Sequence, residues 1–302
     1  MPLARRALAL TLAIAIAPAA APGVLLAQGL PWQRIDRRMP ADPHASIRIL
    51  DLAGAIRVTG WDQDSVSISG TVPRGAGQFY AGGSRTGIKL GIETDSLGAP
   101  GVELDVRVPR GATVWIKSSS AAVTLGGVEG DVDIATVSGD IRVEGAPRRV
   151  SAEAMDGDIE LTTRAAVTRA KTAGGTITIN GGGGDVTASS VSGAVRYTGA
   201  HKLLVGRLES VSGTVTFQGT VIRGGTLAIE THDGPVDVRV PRDQAARFDL
   251  TSFGGAVTNA LAGGDPVVPK GKPLRFTSGA DDAGGATVTV RTFKGNVRLG
   301  GS

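Results

Sequence analysis

A seven-residue pattern recurs along the second half of this chain, and few folds accommodate it. The copies are Val137-Ser-Gly-Asp-Ile-Arg-Val143, Met155-Asp-Gly-Asp-Ile-Glu-Leu161, Ala173-Gly-Gly-Thr-Ile-Thr-Ile179, Val191-Ser-Gly-Ala-Val-Arg-Tyr197 and Val211-Ser-Gly-Thr-Val-Thr-Phe217. Three more start at His232, Phe253 and Phe293. Each reads small or apolar, any residue, Gly, any residue, β-branched, any residue, apolar. The aligned glycines Gly139, Gly157, Gly175, Gly193, Gly213, Gly234 and Gly255 are spaced by 18, 18, 18, 20, 21 and 21 residues. Gly295 lies 40 residues further on, close to two periods. A fixed period of this length is the mark of a repeat architecture.

Each period also holds a second short alternating run, such as Val132-Asp-Ile134, Val150-Ser-Ala152, Val186-Thr-Ala188 and Leu227-Ala-Ile229. Alternation buries one face of a strand and leaves the other in water. Two strands per turn cannot close a core alone, but stacked copies can. The expected fold is therefore all-β, a single parallel β-solenoid of about ten short coils, 18–21 residues each. Glycine suits the corners because it takes positive φ at no steric cost. Val106-Arg-Val-Pro-Arg110 and Val238-Arg-Val-Pro-Arg242 are near copies, and each proline is expected to close a strand. Residues 28–45 read as an irregular leader and 46–302 as the solenoid domain. A Gly-, Ser- and Pro-rich excursion falls near 73–100, and a Gly-, Pro-, Lys- and Asp-rich one near 262–285. No capping element is evident at the C-terminal Gly300-Gly301-Ser302, which leaves end-to-end self-association open.

The first 27 residues obey a different rule. Arg5 and Arg6 precede the apolar run Ala7 to Ala17, and small residues lead to Ala27. This is the pattern of a secretory signal peptide cleaved near Ala27. The uninterrupted apolar run is too short to span a bilayer, and Pro18 and Pro22 break its continuation. The expected location is thus outside the cytoplasm: periplasm, cell surface or medium. The chain has no cysteine. That excludes disulfides, thiolate metal sites and cysteine nucleophiles, so packing and sheet ladders must hold the fold. Removing residues 1–27 leaves 30 basic against 28 acidic residues, with no basic cluster interleaved with aromatics, so nucleic acid is not an expected partner.

Chemistry-bearing residues are few. Gly-Asp turns place Asp131, Asp140, Asp158 and Asp185 at corners, and Asp140 and Asp158 would stack one coil apart. A shared Ca²⁺ is one reading. Ordinary turn chemistry is the simpler one, because Thr176, Ala194 and Thr214 occupy the next rungs. His44, His201 and His232 lack metal-ligand spacing. No Gly-x-Ser-x-Gly elbow is present, and Gly181-Gly-Gly-Gly184 lacks the Lys-Ser/Thr of a phosphate loop. Trp61, Trp115, Tyr80 and Tyr197 are candidates for a sugar platform or for packing. The outward positions Arg142, Glu160, Thr178, Arg196, Thr216 and Asp237 are mixed, and Arg142 beside Glu160 suggests a cross-strand charge pair. No catalytic, cofactor-binding or metal-binding residue is assigned.

Gly54-Ala-Ile-Arg-Val-Thr-Gly-Trp-Asp62, Val66-Ser-Ile68, Val106-Arg-Val-Pro-Arg-Gly-Ala112 and the Ser-Gly-Asp-Ile turns together resemble the bacterial "putative adhesin" β-strand-repeat family, related to toast-rack envelope domains. The resemblance spans roughly residues 45–300. It implies a β-solenoid outside the cytoplasm and transfers no catalytic residue. The expected function is a non-enzymatic envelope or surface protein, binding or adhesive, with an envelope component, glycan or protein as partner. A self-assembling scaffold and a β-helix polysaccharide-active enzyme are the alternatives.

Overall fold

The computed structural model describes residues 32–94, 98–199, 203–261, 265–279 and 284–302. The signal-peptide region, residues 1–27, and His201 lie outside them. The described residues form 27 strands and no helix, in two mostly parallel sheets of 14 and 13 strands. In chain order the first are β1 (Trp32–Pro40), β2 (Ser46–Asp51), β3 (Gly54–Trp61), β4 (Ser65–Pro73), β5 (Gln78–Ser84), β6 (Gly87–Glu93) and β7 (Val102–Pro109). Then come β8 (Thr113–Ser118), β9 (Ala122–Gly126), β10 (Asp131–Ala135), β11 (Ile141–Gly145), β12 (Arg149–Glu153), β13 (Ile159–Thr163) and β14 (Val167–Thr172). They are succeeded by β15 (Ile177–Gly181), β16 (Gly184–Ser190), β17 (Val195–Thr198), β18 (Leu203–Ser210), β19 (Val215–Gln218), β20 (Val221–Thr231) and β21 (Val236–Val240). The last are β22 (Ala246–Ser252), β23 (Val257–Asn259), β24 (Val267–Val268), β25 (Pro273–Ser278), β26 (Ala286–Thr292) and β27 (Val297–Gly301).

From β8 to β21 the chain alternates between the sheets, each strand pairing in parallel with its equivalent one coil away. The arrangement is solenoid-like. Aligned residues stack as the period requires: Ile141, Ile159, Ile177, Val195, Val215 and Val236 form one row. Each strand sends alternate residues inward, so the core is two columns of aliphatic side chains per sheet. Tyr197 and Phe217 stack within it, ring centres 5.2 Å apart, and the Tyr197 hydroxyl donates to the Gly182 carbonyl. The longer periods after Gly193 are absorbed as register shifts at Gly184/Asp185 and Leu203/Val205. Pro109 ends β7 and Pro241 comes directly after β21, as their inability to donate requires.

Two local features make coils of this length stack. The first is the glycine ladder. Gly139, Gly157, Gly175, Gly193, Gly213, Gly234 and Gly295 are not in the positive-φ region, which corrects the expectation that corner conformation selects them. Close approach selects them instead: a Cβ at Gly157, Gly175 or Gly193 would land on the backbone carbonyl of the preceding coil's ladder glycine. The second feature is a row of buried hydroxyls three residues earlier, at Thr172, Ser190, Ser210, Thr292 and Ser252. The Ser190 hydroxyl accepts the Gly193 N–H at 2.9 Å, and Ser210 accepts that of Gly213 at 2.9 Å. Each hydroxyl also donates to a ladder carbonyl of the adjacent coil, as Ser210 does to Gly193 at 3.2 Å. The corner is buried, so these bonds satisfy backbone groups that would otherwise be orphaned.

The ends depart from sequence order. The coil β26–β27 lies between β20–β21 and β22–β23, so the coil latest in sequence is internal. Gly295 therefore stacks directly on Gly234, and Gly255 on Gly295. The 40-residue interval is an out-and-back excursion, not two coils in series. The other end repeats the device: β2–β3 lies between β6–β7 and β8–β9. In space eleven coils succeed one another: β6–β7, β2–β3, β8–β9, β10–β11, β12–β13, β14–β15, β16–β17, β18–β19, β20–β21, β26–β27 and β22–β23.

Both ends carry antiparallel strands. β4 pairs with β7, β1 with β4 and β5 with β6 at one end, and β24 pairs with β23 and β25 with β22 at the other. The irregular leader expected over residues 28–45 is thus, over 32–40, an edge strand. The excursion near 73–100 holds the hairpin β5–β6, and that near 262–285 supplies β24 and β25. The missing C-terminal cap is built from this internal excursion. Edge strand β1 carries Arg34, Arg37 and Arg38, β24 has two residues, and β25 begins at Pro273. These are devices that discourage further strand pairing.

Candidate functional site

The residue after each position of that row, which carries a hydroxyl except at Asp51 and Ala154, points outward at the same corner. In spatial order these residues are Leu52, Ser119, Val137, Met155, Ala173, Val191, Val211, His232, Phe293 and Phe253, the first position of the repeat. Their backbones are tied rung to rung: the Val137 N–H donates to Ser119, Met155 to Val137, Ala173 to Met155, and Val191 to Ala173. The row continues from Val211 through His232 and Phe293 to the outermost coil. Most of its large members are exposed, with Met155 at 56%, Phe293 at 51% and Phe253 at 59%. Rungs about 4.8 Å apart make the row about 43 Å long. Scattered surface hydrophobics are ordinary; a line of this length, interrupted by Ser119, Ala173 and His232, is not.

The row changes character along its length. At the β22–β23 end it is aromatic. His232 and Phe293 stack with ring centres 5.0 Å apart, and Phe253 comes next at 6.1 Å. The His232 and Phe293 rings are inclined at 29° to each other, and Phe253 is tilted at 40° to Phe293. Asp233 binds the His232 ring at 2.7 Å and Lys294 at 3.2 Å, and both hold its carboxyl below the usual range. At the β2–β3 end the row opens into a groove of about 1070 Å³ beside the β5–β6 hairpin. Leu52, Val137, Ile92 and Tyr80 supply its apolar lining, with Lys89, Glu93 and Lys117 around them. Burial, then Glu93, raises the Tyr80 phenol.

Asp51 also lines the groove and occupies the hydroxyl-ladder position, opposite Ser118. It is 4% exposed, and its Oδ2 has no hydrogen-bond partner. Burial raises its carboxyl from 3.8 to about 6, partly offset by the amides of Leu52 and Ala53.

The sheet faces differ from the corner. Arg142 and Glu160 form the expected cross-strand pair at 2.6 Å, and Arg57 pairs with Asp105 at 3.2 Å. Asp140 and Asp158 stack as expected, but each accepts the backbone N–H of the next coil, from Asp158 at 2.9 Å and Thr176 at 2.7 Å. Among the described residues no group of three acidic or histidine side chains converges as a metal site. The four aromatics singled out in the sequence do not come together. Tyr197 is core. Trp61 donates to the Ser65 carbonyl and lies against Arg38 and Arg107. Trp115 and Tyr80 lie under Lys117 and Lys89. His44 contacts the Gly111 carbonyl. Gly181, Gly182 and Gly184 form a positive-φ corner. No helix among the described residues is long and apolar enough to cross a membrane.

No family model matches the chain, and no curated protein matches it significantly. Two solved structures align over most of its length. One is a "putative cell adhesion protein" from Clostridium sporogenes, 11% identical over 89% of this chain and 100% of that one, with a TM-score of 0.24. The other is a "putative adhesin" from Bacteroides fragilis, 11% identical over 88% and 97%, with a TM-score of 0.44.

Proposed function

We propose that this chain is exported by its N-terminal signal peptide and works without catalysis, as a rigid contact protein of the cell envelope or surface, adhesive in the broad sense. It is best viewed as one continuous β-solenoid of the strand-repeat family that its sequence resembles. The observation that carries this reading is the apolar corner. A stack with alternating, salt-bridged faces places Leu52, Val137, Met155, Val191, Val211, Phe293 and Phe253 in one line, with Trp32, Leu204, Val205 and Val267 the exposed large apolar side chains outside it among the described residues, and binding is the physical use of such a line. The enzyme alternative draws no support from the outward charged positions: Arg142 and Glu160 pair with each other, and Asp237 pairs with Arg239 at 3.2 Å.

The test uses purified residues 28–302, co-sedimented with isolated envelopes and with a panel of envelope polysaccharides, while new reducing or unsaturated ends are assayed. Retention is expected for the wild type and for Thr178→Lys on a sheet face, and is expected to be lost in Val191→Lys/Val211→Lys. Equal retention of the corner variant would refute the reading, as would reproducible glycan cleavage.

A further inference from the structure

We propose that the occupant of the apolar corner is a second copy of this chain. The two stacks lie antiparallel about a two-fold axis, with Phe253 and Phe293 of each seated at the groove beside Leu52 and Val137 of the other. The proposal rests on the reading of the corner as a contact surface and names its partner.

Four observations carry it. The first is pitch. A row with one side chain every ~4.8 Å is matched rung for rung by a surface of the same repeat, and a second copy has that repeat by construction. The second is area. The exposed fractions of Leu52, Val137, Met155, Val191, Val211, Phe253 and Phe293 amount to roughly 600 Å² of apolar side chain, at the top of what monomers leave open. Two such rows bury about 1,200 Å², the lower bound of a specific interface.

The third is the size profile. Antiparallel alignment sets Leu52 opposite Phe253, Ser119 opposite Phe293, Val137 opposite His232, Met155 opposite Val211, and Ala173 opposite Val191. The aromatic end thereby meets Leu52, Ser119 and Val137 and the groove of about 1070 Å³ that Leu52 and Val137 line. A parallel alignment would set aromatic against aromatic and leave the groove empty. The fourth is charge. The residues directly after each rung are Ala53, Ser120, Ser138, Asp156, Gly174, Ser192, Ser212, Asp233, Lys294 and Gly254. Asp233 and Lys294 neutralise one another at 3.2 Å, so the corner opposes a copy of itself with little repulsion. The contact is isologous and closed, so it yields dimers rather than filaments.

The experiment is sedimentation velocity of residues 28–302 from about 1 to 200 µM, with dissociation expected in the micromolar range for an interface of this size. Val191→Lys/Val211→Lys is expected to weaken association at least about 100-fold, as two buried lysines require, while Thr178→Lys leaves it unchanged. Both corner side chains are exposed, so circular dichroism should show the variant folded. Because the chain has no cysteine, single cysteines read the orientation. Val191→Cys lies beside the axis and should form an interchain disulfide. Phe293→Cys lies far from its counterpart and should not. Dimers in which Phe293→Cys cross-links as readily as Val191→Cys would overturn the antiparallel arrangement. A wild-type chain that stays monomeric would overturn the proposal even where Val191→Lys/Val211→Lys abolishes envelope retention.

Discussion

Asp51 is the one acidic residue in the hydroxyl ladder, and replacing it should stabilise the protein in a pH-dependent way. In its folded environment the carboxyl titrates at about 6, against 3.8 for the free group. Below 3.8 the group is protonated in both states and no stability is lost. As pH rises, the unfolded chain releases the proton first and the folded chain holds it until about pH 6, so stability falls across this window. Each tenfold ratio is worth about 1.4 kcal/mol, so the full loss is about 3 kcal/mol, of which about 2.5 accrues between pH 4 and 7.5. Asp51→Ser removes the charge and restores the side chain that neighbouring coils carry. Urea unfolding of both proteins from pH 4 to 7.5, monitored by circular dichroism, should show the variant's advantage growing by about that amount. A difference that is constant with pH, or a variant less stable at pH 7.5, would refute the argument that an unpartnered buried carboxylate strains this corner.

Other substitutions test the stacking devices. Gly193→Ala puts a methyl group on the Gly175 carbonyl and should cost at least about 3 kcal/mol, whereas Gly126→Ala meets nothing within 4 Å and should be neutral or stabilising by up to about 1 kcal/mol in thermal denaturation. Ser190→Ala leaves the Gly193 N–H and the Gly175 carbonyl without their side-chain partner and should lose about 2 kcal/mol in the same assay. Ala154 is a gap in the hydroxyl row, and Ala154→Ser should gain about 1 kcal/mol by accepting the Gly157 N–H. Glu160→Gln removes an exposed pair with Arg142 and should change the urea midpoint by less than about 1 kcal/mol equivalent.

The central coils are legible in the sequence because period and alternation are properties of single residues in order. Ile141, Ile159 and Ile177 fall 18 apart and stack. The order of the end coils is not legible, because the 40 residues from Gly255 to Gly295 divide into two periods as well as into a loop and one returning coil. Serine and threonine are common in turns, so the hydroxyl row carries no separate signal until the Ser190 and Ser210 side chains are placed beside carbonyls of the adjacent coil. The corner row is present as the first position of the repeat, but Val137 or Val191 alone looks like a core residue. Only the strand end just before it, at Ala135 or Ser190, decides that it faces water. Asp51 gives no signal of its own, because Asp-Leu-Ala-Gly54 reads as a plain turn.

Repeat arrays ordinarily fray from their ends, since a terminal unit has one neighbour and a free chain end. Here each outermost coil is flanked in sequence by segments that pass beneath it, so neither can unpeel as a chain terminus. Tension applied at β27 would have to shear an interior coil from neighbours on both sides. Pulled at that strand, the stack should yield abruptly at high force rather than unwinding coil by coil.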